Sequence, residues 1–160
     1  MIVVDASAAI AALLNAGAAR DLLGDEQLHA PHLVDHEVAS ALRRRVLAGA
    51  LFAEAGWALL DTWRRLALTR YPVFTLLERV WELRENLSAY DASYVALAEG
   101  LGCALVTADS RVSRAPGLTC PVTVVPTPVN SQNFSASITG PSTREGASAG
   151  LPTRSGRRSR

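Results

Sequence analysis

The chain has 160 residues, a net charge of +1 at pH 7, a hydrophobic fraction of 49% and a charged fraction of 19%. These values are ordinary for one globular domain with a sizeable core. No apolar run approaches the roughly 18 residues that a membrane span requires, and the opening Met1-Ile-Val-Val-Asp lacks the basic segment of a secretory signal. We therefore expect a cytoplasmic protein with no membrane contact.

Two residue types exclude further classes of site. The two cysteines, Cys103 and Cys120, have neither the number nor the spacing of a disulfide framework or a cysteine-based zinc site. Every basic residue is an arginine. The absence of lysine from the whole chain excludes any mechanism that depends on a catalytic lysine.

Composition divides the chain after residue 129. Residues 1–129 hold 11 arginines and 14 acids, so their net charge is −3; residues 130–160 hold 5 arginines and 1 acid, which gives +4. The second segment is rich in Ser, Gly, Thr and Arg and has too few large apolar residues to offset the entropy of ordering. We predict a folded domain over 1–129 and a disordered tail over 130–160, whose basic end either contacts nucleic-acid phosphates or is simply solvated.

The first half of the folded part alternates short apolar runs with helical periodicity. Ile2–Val4 is predicted as a buried strand and Ala6–Leu14 as the helix after it. The remaining predictions in this half are a short helix at 18–23, an extended stretch at 27–30, a helix that begins at Pro31, and a helix over 51–68.

The second half continues this alternation. The predictions are an extended piece at 71–74, a helix from an N-cap at Thr75 toward Leu87, a helix over 92–99 that begins at Ser88 or Asp91, a strand at Ala104–Thr107, and a strand at 122–125. Strands that are nearly all apolar and separated by helices predict an α/β fold, with a parallel sheet covered on both faces.

Four acids stand where a core would favour apolar residues: Asp5, Glu37, Asp91 and Asp109. Asp5 and Asp109 each follow a predicted strand, and functional sites in open α/β sheets lie at the carboxyl ends of strands. Asp91 lies near the start of a helix, and Glu37 lies on the apolar stripe of another. The four side chains are therefore predicted to converge at one end of the sheet.

A cluster of carboxylates must either take up protons or bind cations, because like charges repel strongly at short range. Oxygen-only ligands favour Mg²⁺ or Mn²⁺, and such ions are used to hydrolyse phosphodiesters. The alternatives are that Asp5 and Asp91 only cap their helices and that Glu37 and Asp109 are solvated.

Two histidines and a run of three arginines near Glu37 are weaker candidates for a functional role. His32 and His36 are spaced to share a metal, but no third ligand of that type has suitable spacing, so a zinc site is not expected. Residues 43–45 are three consecutive arginines that continue the helix of Glu37. They either face the acidic site and meet RNA phosphates or form a solvated face.

In order along the chain, these residues resemble the PIN-domain nucleases, and specifically the toxins of the VapBC toxin–antitoxin family. The resemblance covers residues 1 to about 125. The matching pieces are Ile2-Val-Val-Asp-Ala-Ser-Ala, Pro31-His-Leu-Val-Asp-His-Glu-Val-Ala-Ser-Ala-Leu-Arg-Arg, Leu87-Ser-Ala-Tyr-Asp-Ala-Ser-Tyr-Val-Ala-Leu-Ala-Glu and Leu105-Val-Thr-Ala-Asp-Ser-Arg-Val.

The resemblance implies a PIN-like three-layer α/β/α fold and a Mg²⁺-dependent endoribonuclease that leaves 5′-phosphate and 3′-hydroxyl ends. Asp5 and Asp91 would be the main metal ligands, and Glu37 and Asp109 would complete the acidic pocket. Some PIN nucleases carry a further acid after the fourth, where this chain has Ser110 and Arg111. The resemblance also implies Ser7 and Thr107 as hydroxyls that fix the carboxylates, a homodimer, and a cognate antitoxin protein.

Other functions fit less well. A phosphorylation-dependent receiver domain and a haloacid-dehalogenase-like phosphatase both require a lysine, which the chain lacks. The remaining alternative is a catalytically inactive PIN-like module that binds RNA or protein. A missing acid would support this alternative, but all four acids are present.

Overall fold

The computed structural model describes residues 1–15 and 17–126. The predicted tail, residues 130–160, and the boundary after residue 129 lie outside the described residues. The strands of the described part are β1 Ile2–Val4, β2 Leu28–Pro31, β3 Leu68–Tyr71, β4 Ala104–Thr107 and β5 Val122–Val124. Its α-helices are α1 Ala6–Leu14, α2 Ala18–Asp25, α3 Leu33–Leu47, α4 Ala53–Arg64, α5 Leu77–Glu82 and α6 Ala89–Leu101. Two short 3₁₀ helices lie at Val73–Leu76 and Val112–Arg114.

The strands form one parallel sheet in the order β3-β2-β1-β4-β5. The chain therefore first moves outward from β1 to β3 and then returns to the other side of β1. The strand order reverses between β1 and β4, and ligands of open α/β sheets bind at such a reversal, outside the carboxyl ends of the strands.

The helices pack in two groups, α1 to α4 and α5 with α6. Right-handed crossovers in opposite directions place the two groups on opposite faces of the sheet. The α/β fold with a central parallel sheet between helical layers, predicted from the sequence, is confirmed. No helix among the described residues is both long and apolar enough to cross a bilayer.

The core lies on both faces of the two central strands. β1 is buried over its whole length and α6 is buried from Ala92 to Ala98. Buried valines and leucines connect the sheet to the helices of both layers: Val3, Val4, Val34, Val38, Val95, Leu105 and Val106. The two elements that carry Asp5 and Asp91 are therefore attached to the most buried part of the molecule.

The prediction that Pro31 begins a helix is wrong. Pro31 is the last residue of β2 and lies opposite Tyr71 in the sheet. A proline lacks the backbone N–H, and the end of a strand tolerates that loss. His32 follows, and its backbone N–H donates to the carbonyl oxygen of Tyr71 at 2.9 Å, so α3 begins only at Leu33.

The predicted helix over 51–68 is too long, and the extended piece at 71–74 is misplaced. The helix ends at Arg64, and the strand β3 runs from Leu68 to Tyr71. β3 is an edge strand and only half-buried, so its pattern lacks the continuous apolar character of the inner strands. Residues 73–76 form a 3₁₀ helix instead of an extended segment.

The predicted N-cap at Thr75 is also wrong. The Thr75 hydroxyl donates to the carbonyl oxygen of Pro72 at 3.0 Å, inside the 3₁₀ helix, and α5 ends at Glu82 instead of continuing toward Leu87. Of the two predicted starts of the next helix, Ser88 is the correct one, because Ser88 is the N-cap of α6. α6 ends where Gly102 adopts a left-handed conformation with φ 64°.

Candidate active site

The four predicted acids lie at the carboxyl edge of the sheet. Asp5 directly follows β1 and Asp109 follows β4 by two residues, so these two flank the reversal of strand order. Glu37 lies in the second turn of α3, which begins just after β2. Asp91 lies in the first turn of α6, the helix that leads into the amino end of β4 and therefore starts at the opposite, carboxyl edge.

Asp5 is buried, with 8% of its surface exposed. It is the N-cap of α1, and its Oδ1 accepts from the backbone N–H of Ala8 at 2.8 Å and from the hydroxyl of Ser7 at 2.8 Å. Its Oδ2 accepts from the hydroxyl of Thr107 at 2.6 Å. Asp5 therefore does cap α1, as the alternative reading of the sequence had it. Its carboxylate still retains a lone pair for a further contact.

Ser7 and Thr107 connect the ends of β1 and β4. Their hydroxyl oxygens are 3.3 Å apart, and each also accepts a backbone N–H of the β4 turn. The N–H of Ala108 donates to Ser7 Oγ at 2.8 Å, and the N–H of Asp109 donates to Thr107 Oγ1 at 2.9 Å. Thr107 is fully buried. The two hydroxyls thus hold the Asp5 carboxylate and the turn before Asp109 in one arrangement.

Burial raises the pKa of Asp5 above its ordinary value, against the opposing effect of the hydrogen bonds from Thr107, Ala8 and Ser7. The negative charge of Asp91 raises this pKa further. A carboxylate in this position is stabilised by a nearby cation.

Glu37 contacts a residue that the sequence reading overlooked. The hydroxyl of Tyr94, a buried residue of α6, donates to Glu37 Oε2 at 2.5 Å. Burial raises the pKa of Glu37, the bond from Tyr94 opposes this rise, and the charges of Asp5 and Asp91 add to it. Burial and the hydrogen bond to Glu37 likewise raise the pKa of the Tyr94 hydroxyl, so this group remains a donor.

Asp91 is held by the residue that begins its helix. The hydroxyl of Ser88 donates to Asp91 Oδ2 at 2.7 Å, while Ser88 Oγ accepts the backbone N–H of Asp91 at 3.1 Å. This reciprocal pair fixes the first turn of α6. The positive end of the helix dipole favours a carboxylate there. Asp91 and Ser88 therefore both serve the helix start, and Asp91 also contributes charge to the site.

Asp109 is engaged differently. The guanidinium of Arg111 donates to it from Nε at 3.0 Å to either carboxylate oxygen, and from Nη2 to Oδ2 at 2.5 Å. The backbone N–H of Arg111 also donates to Oδ1 at 2.9 Å. These bonds hold the pKa of Asp109 below its ordinary value. The structure thus gathers Asp5, Glu37 and Asp91 in one electrostatic field and pairs Asp109 with an arginine.

The donor chemistry of this field fits a hard divalent cation. All three carboxylates offer oxygen, and among the described residues Glu37 Oε1 and Asp91 Oδ1 receive no hydrogen bond, unlike their partner atoms. Within residues 1–15 and 17–126, however, no three His, Cys, Asp or Glu side chains are arranged as a formed metal site. Asp5, Glu37 and Asp91 would hold such an ion only once drawn together around it.

The other candidate residues are placed as follows. Arg44, two turns beyond Glu37 on α3, lies close enough for its charge to lower the pKa of Glu37, so the charge of this arginine of the 43–45 run reaches the acidic site. His29 Nδ1 lies 2.9 Å from the Tyr71 hydroxyl. His32 and His36 belong to no metal-binding group in the described part of the chain.

Three residues of the site were missed by reading the sequence for acids alone: Tyr94, Ser88 and Arg111. Each has a local signal. Tyr94 and Ser88 stand three residues to either side of Asp91, the spacing that places side chains on one helical face. Arg111 stands two residues beyond Asp109, within reach of a turn carboxylate. The polar partners of candidate acids are thus found at short, fixed spacings.

Comparison with known proteins agrees with this geometry. A family model of the PIN domain matches residues 2–118. A VapC ribonuclease of Mycobacterium bovis is 66% identical over 126 residues, which are 79% of this chain and 99% of the relative. Ribonuclease VapC1 of Mycobacterium tuberculosis is 46% identical over 128 residues, or 77% of this chain and 96% of that protein.

Solved structures show the same fold. The crystal structure of PAE2754 from Pyrobaculum aerophilum is 26% identical with a TM-score of 0.60, and the match covers 76% of this chain and 81% of that one. Mycobacterium tuberculosis VapC20, described as a sarcin-ricin loop cleaving toxin, is 24% identical with a TM-score of 0.55, over 71% of this chain and 94% of that one. The family model, the identity to curated relatives and the carboxyl-edge acids agree, and the chain therefore belongs to the PIN-domain family and, within it, to the VapC ribonucleases.

Proposed function

We propose that this chain is a divalent-metal-dependent endoribonuclease, the toxin of a type II toxin–antitoxin pair, which cuts RNA to leave 5′-phosphate and 3′-hydroxyl ends. The endoribonuclease class follows from membership of the VapC ribonucleases. The observation that carries the metal dependence is the shared field of Asp5, Glu37 and Asp91, in which the pKa of both Asp5 and Glu37 is raised.

The roles of the residues follow from their contacts. A divalent ion, when bound, would supply a water of lowered pKa and neutralise charge on the leaving oxygen. Asp5 is oriented by Thr107 and Ser7 and would be a ligand together with Asp91. Glu37, held at Oε2 by Tyr94, presents Oε1 to orient the attacking water. Asp109 completes the acidic pocket once it is released from Arg111.

A catalytically inactive binding module is the alternative. It would keep the fold and need no cluster of like charges. Here the cluster is supported by dedicated hydroxyls: Thr107 and Ser7 on Asp5, Tyr94 on Glu37 and Ser88 on Asp91. Groups that orient ligands in this way are typical of working metal sites, which favours the enzyme.

We also propose a homodimer and a cognate antitoxin protein as partners in the cytoplasm. Large apolar side chains are exposed on two helical segments: Phe52 and Trp57 at α4, and Phe74, Leu77 and Trp81 at α5 and the 3₁₀ helix before it. Exposed apolar groups of this size are typical of protein interfaces. Sedimentation of the purified chain, alone and with its antitoxin, measures both associations.

Incubation of the purified protein with total cellular RNA, with Mg²⁺ and with EDTA, tests the enzymatic proposal. New 5′ ends that carry a monophosphate and appear only with Mg²⁺ are expected. RNA binding without any new ends at saturating protein would favour the inactive module. New ends in EDTA would contradict metal dependence while leaving the nuclease activity in place.

A further inference from the structure

Arg111 is an arginine bound directly to an acid of the candidate site, and the turn after β4 carries it. It precedes the 3₁₀ helix Val112–Arg114 and lies two residues beyond Asp109. Its side chain is 84% exposed, yet it is folded back so that its guanidinium bonds both oxygens of the Asp109 carboxylate. An exposed arginine with no partner would extend into solvent.

The position of Arg111 extends its influence beyond Asp109. The bonds and charge of Asp109 raise the pKa of Arg111, and the charge of Asp91 raises it as well. Arg111 therefore lies within the field of the acid at the start of α6. Its guanidinium is at once bound to an acid of the site and exposed to solvent, so a substrate phosphate can reach it.

The acidic pocket needs such a cation. A phosphodiester is anionic, and three carboxylates in one field repel it. Two other arginines act on the same acids: the charge of Arg44 lowers the pKa of Glu37, and that of Arg114 lowers the pKa of Asp109. Among these three arginines, Arg111 alone forms a fork of hydrogen bonds to a candidate acid in the described part of the chain.

The fork on Asp109 is also one that a phosphate can take over. The planar guanidinium binds carboxylates and phosphates with the same bidentate geometry. Ion pairs as exposed as this one contribute little to stability, because water and salt compete for both groups. The pair can therefore open at little cost when an oxygen anion of matching shape arrives.

We propose that Arg111 binds a backbone phosphate of the RNA at the cleavage site, and that Asp109 holds its guanidinium in place until the RNA arrives. This inference rests on the proposed function, since it assigns Arg111 to that substrate. Exchange of partners from carboxylate to phosphate leaves the oxygens of Asp109 available to the acidic pocket. Arg111 is thereby a substrate-binding residue, and its pairing with Asp109 is the resting state.

The test measures binding apart from cleavage. A short, end-labelled single-stranded RNA of mixed sequence is titrated with the Asp5→Asn protein in EDTA, and anisotropy gives Kd over a series of salt concentrations. Arg111→Gln in this background is expected to weaken binding about tenfold at low salt. The slope of log K against log salt should become shallower by about 0.7, the value for one lost phosphate contact on a single strand.

Arg65 provides a matched control. It is also exposed and paired with a nearby acid, Asp61 of α4, at 2.8 Å. It follows α4 directly and precedes β3, so it lies at the amino edge of the sheet, opposite the site. Arg65→Gln removes the same net charge and should leave the salt slope unchanged. Arg111→Lys keeps the charge without the fork and should restore the slope but only part of the affinity.

A double-mutant cycle tests whether Asp109 holds Arg111 in the absence of RNA. Asp109→Asn releases Arg111 and should tighten RNA binding, and the gain should be much smaller when Arg111→Gln is also present. Equal gains in both backgrounds would show that Asp109 acts by general repulsion alone, and would overturn the resting-state assignment.

The remaining outcomes separate this inference from the proposed function. If Arg111→Gln lowers the melting temperature but leaves Kd and salt slope unchanged, Arg111 only anchors the turn and the inference is wrong. Absence of RNA binding by the Asp5→Asn parent also contradicts it, because an exposed guanidinium needs no metal to reach a phosphate. If the slope changes as expected while the wild-type protein cleaves no RNA in Mg²⁺, the proposed function fails and Arg111 remains a phosphate ligand.

Discussion

Thr107 donates a 2.6 Å hydrogen bond to Asp5 across 102 residues of sequence, and so joins the carboxyl ends of the two central strands. The same hydroxyl oxygen accepts the backbone N–H of Asp109 at 2.9 Å. One buried side chain thus orients a candidate metal ligand and fixes the turn that carries another acid. The site is held by the fold at the point where the strand order reverses.

Thr107→Val should reduce RNA cleavage by about 10- to 100-fold, the usual effect of losing a group that orients a metal ligand. Valine keeps the shape of the side chain. It cannot donate a hydrogen bond to the Asp5 carboxylate, and it cannot accept one from the backbone N–H of Asp109. Single-turnover cleavage rates, measured well below the melting temperature, test this. Thr123→Val makes the same chemical change at an exposed residue of the outer strand β5, in the pair next to Thr107 and Val124, and should cleave normally. Equal rates for the two variants would remove Thr107 from the site.

Glu37→Gln should stabilise the metal-free protein. Burial and the charges of Asp5 and Asp91 raise the pKa of Glu37, so its ionised form is disfavoured in the folded state. Glutamine removes the charge and still accepts from Tyr94. We expect the Tm in EDTA to rise by about 2 °C, the shift that a gain of roughly 0.5–1 kcal/mol produces in a chain of this size.

In Mg²⁺ the wild-type protein should have the higher Tm of the two. Binding to the folded state stabilises it, so Mg²⁺ should raise the Tm of the wild-type protein more than that of Glu37→Gln. Thermal melts of both proteins, with and without Mg²⁺, measure the difference. An equal Mg²⁺ response in both proteins would show that Glu37 is outside the cation site.

The sequence predicted the positions of the acids better than the local conformation around them. Asp5 directly follows a continuous apolar run that ends at Val4. A central strand is buried on both faces and is therefore apolar throughout, so its end is easy to recognise in the sequence. The edge strand β3 was misplaced because only part of it is buried. The spacing of Arg111 from Asp109 shows that the two side chains can meet, but the sequence alone does not separate an arginine that folds back onto a turn carboxylate from one that is solvated.

The ion pair of Asp35 and Arg70, which joins α3 to β3, gives the fold a pH dependence. Asp35 on α3 accepts from Arg70 Nε at 2.6 Å and Nη2 at 2.8 Å, and from the indole N–H of buried Trp63 at 2.8 Å. The bond from Arg70 holds the pKa of Asp35 below its ordinary value of 3.8, even though burial opposes this. Because the folded-state pKa is lowered, the stabilisation is complete above the ordinary value and is lost as the pH falls through the folded-state value.

Asp35→Asn should therefore lower the free energy of unfolding at pH 7 by about 1–2 kcal/mol, which is the worth of charge-assisted bonds reduced for the partial exposure of Asp35. Urea unfolding between pH 7 and strongly acidic pH should show a constant gap between wild type and variant above about pH 5, which narrows below about pH 4. A gap that stays constant across the acid range would mean that Asp35 is not ionised in the pair.

Removal of residues 130–160 should leave the melting temperature of the domain nearly unchanged. The segment has only Phe134, Ile138 and Leu151 as large apolar side chains, against 5 arginines. The relative that is 66% identical aligns over 126 residues, 99% of its own length, so it has little chain beyond the aligned part. A chain that ends at Val129 tests this in a thermal melt, and a large drop in Tm would show that the boundary is wrong.

If the carboxyl-edge acids bind the cation on which RNA cleavage depends, loss of the Asp5 charge should abolish cleavage, and the cleavage rate of Asp5→Asn measures this. Asparagine keeps the acceptor for Ala8 and Ser7 but loses the charge. We predict cleavage in Mg²⁺ by the wild-type protein, none in EDTA, and a loss of at least about 100-fold for Asp5→Asn. Asp25→Asn, the same substitution on an exposed acid at the end of α2 and hence at the amino edge, should cleave at the wild-type rate. Wild-type cleavage by Asp5→Asn, or by the unaltered protein in EDTA, would contradict the account.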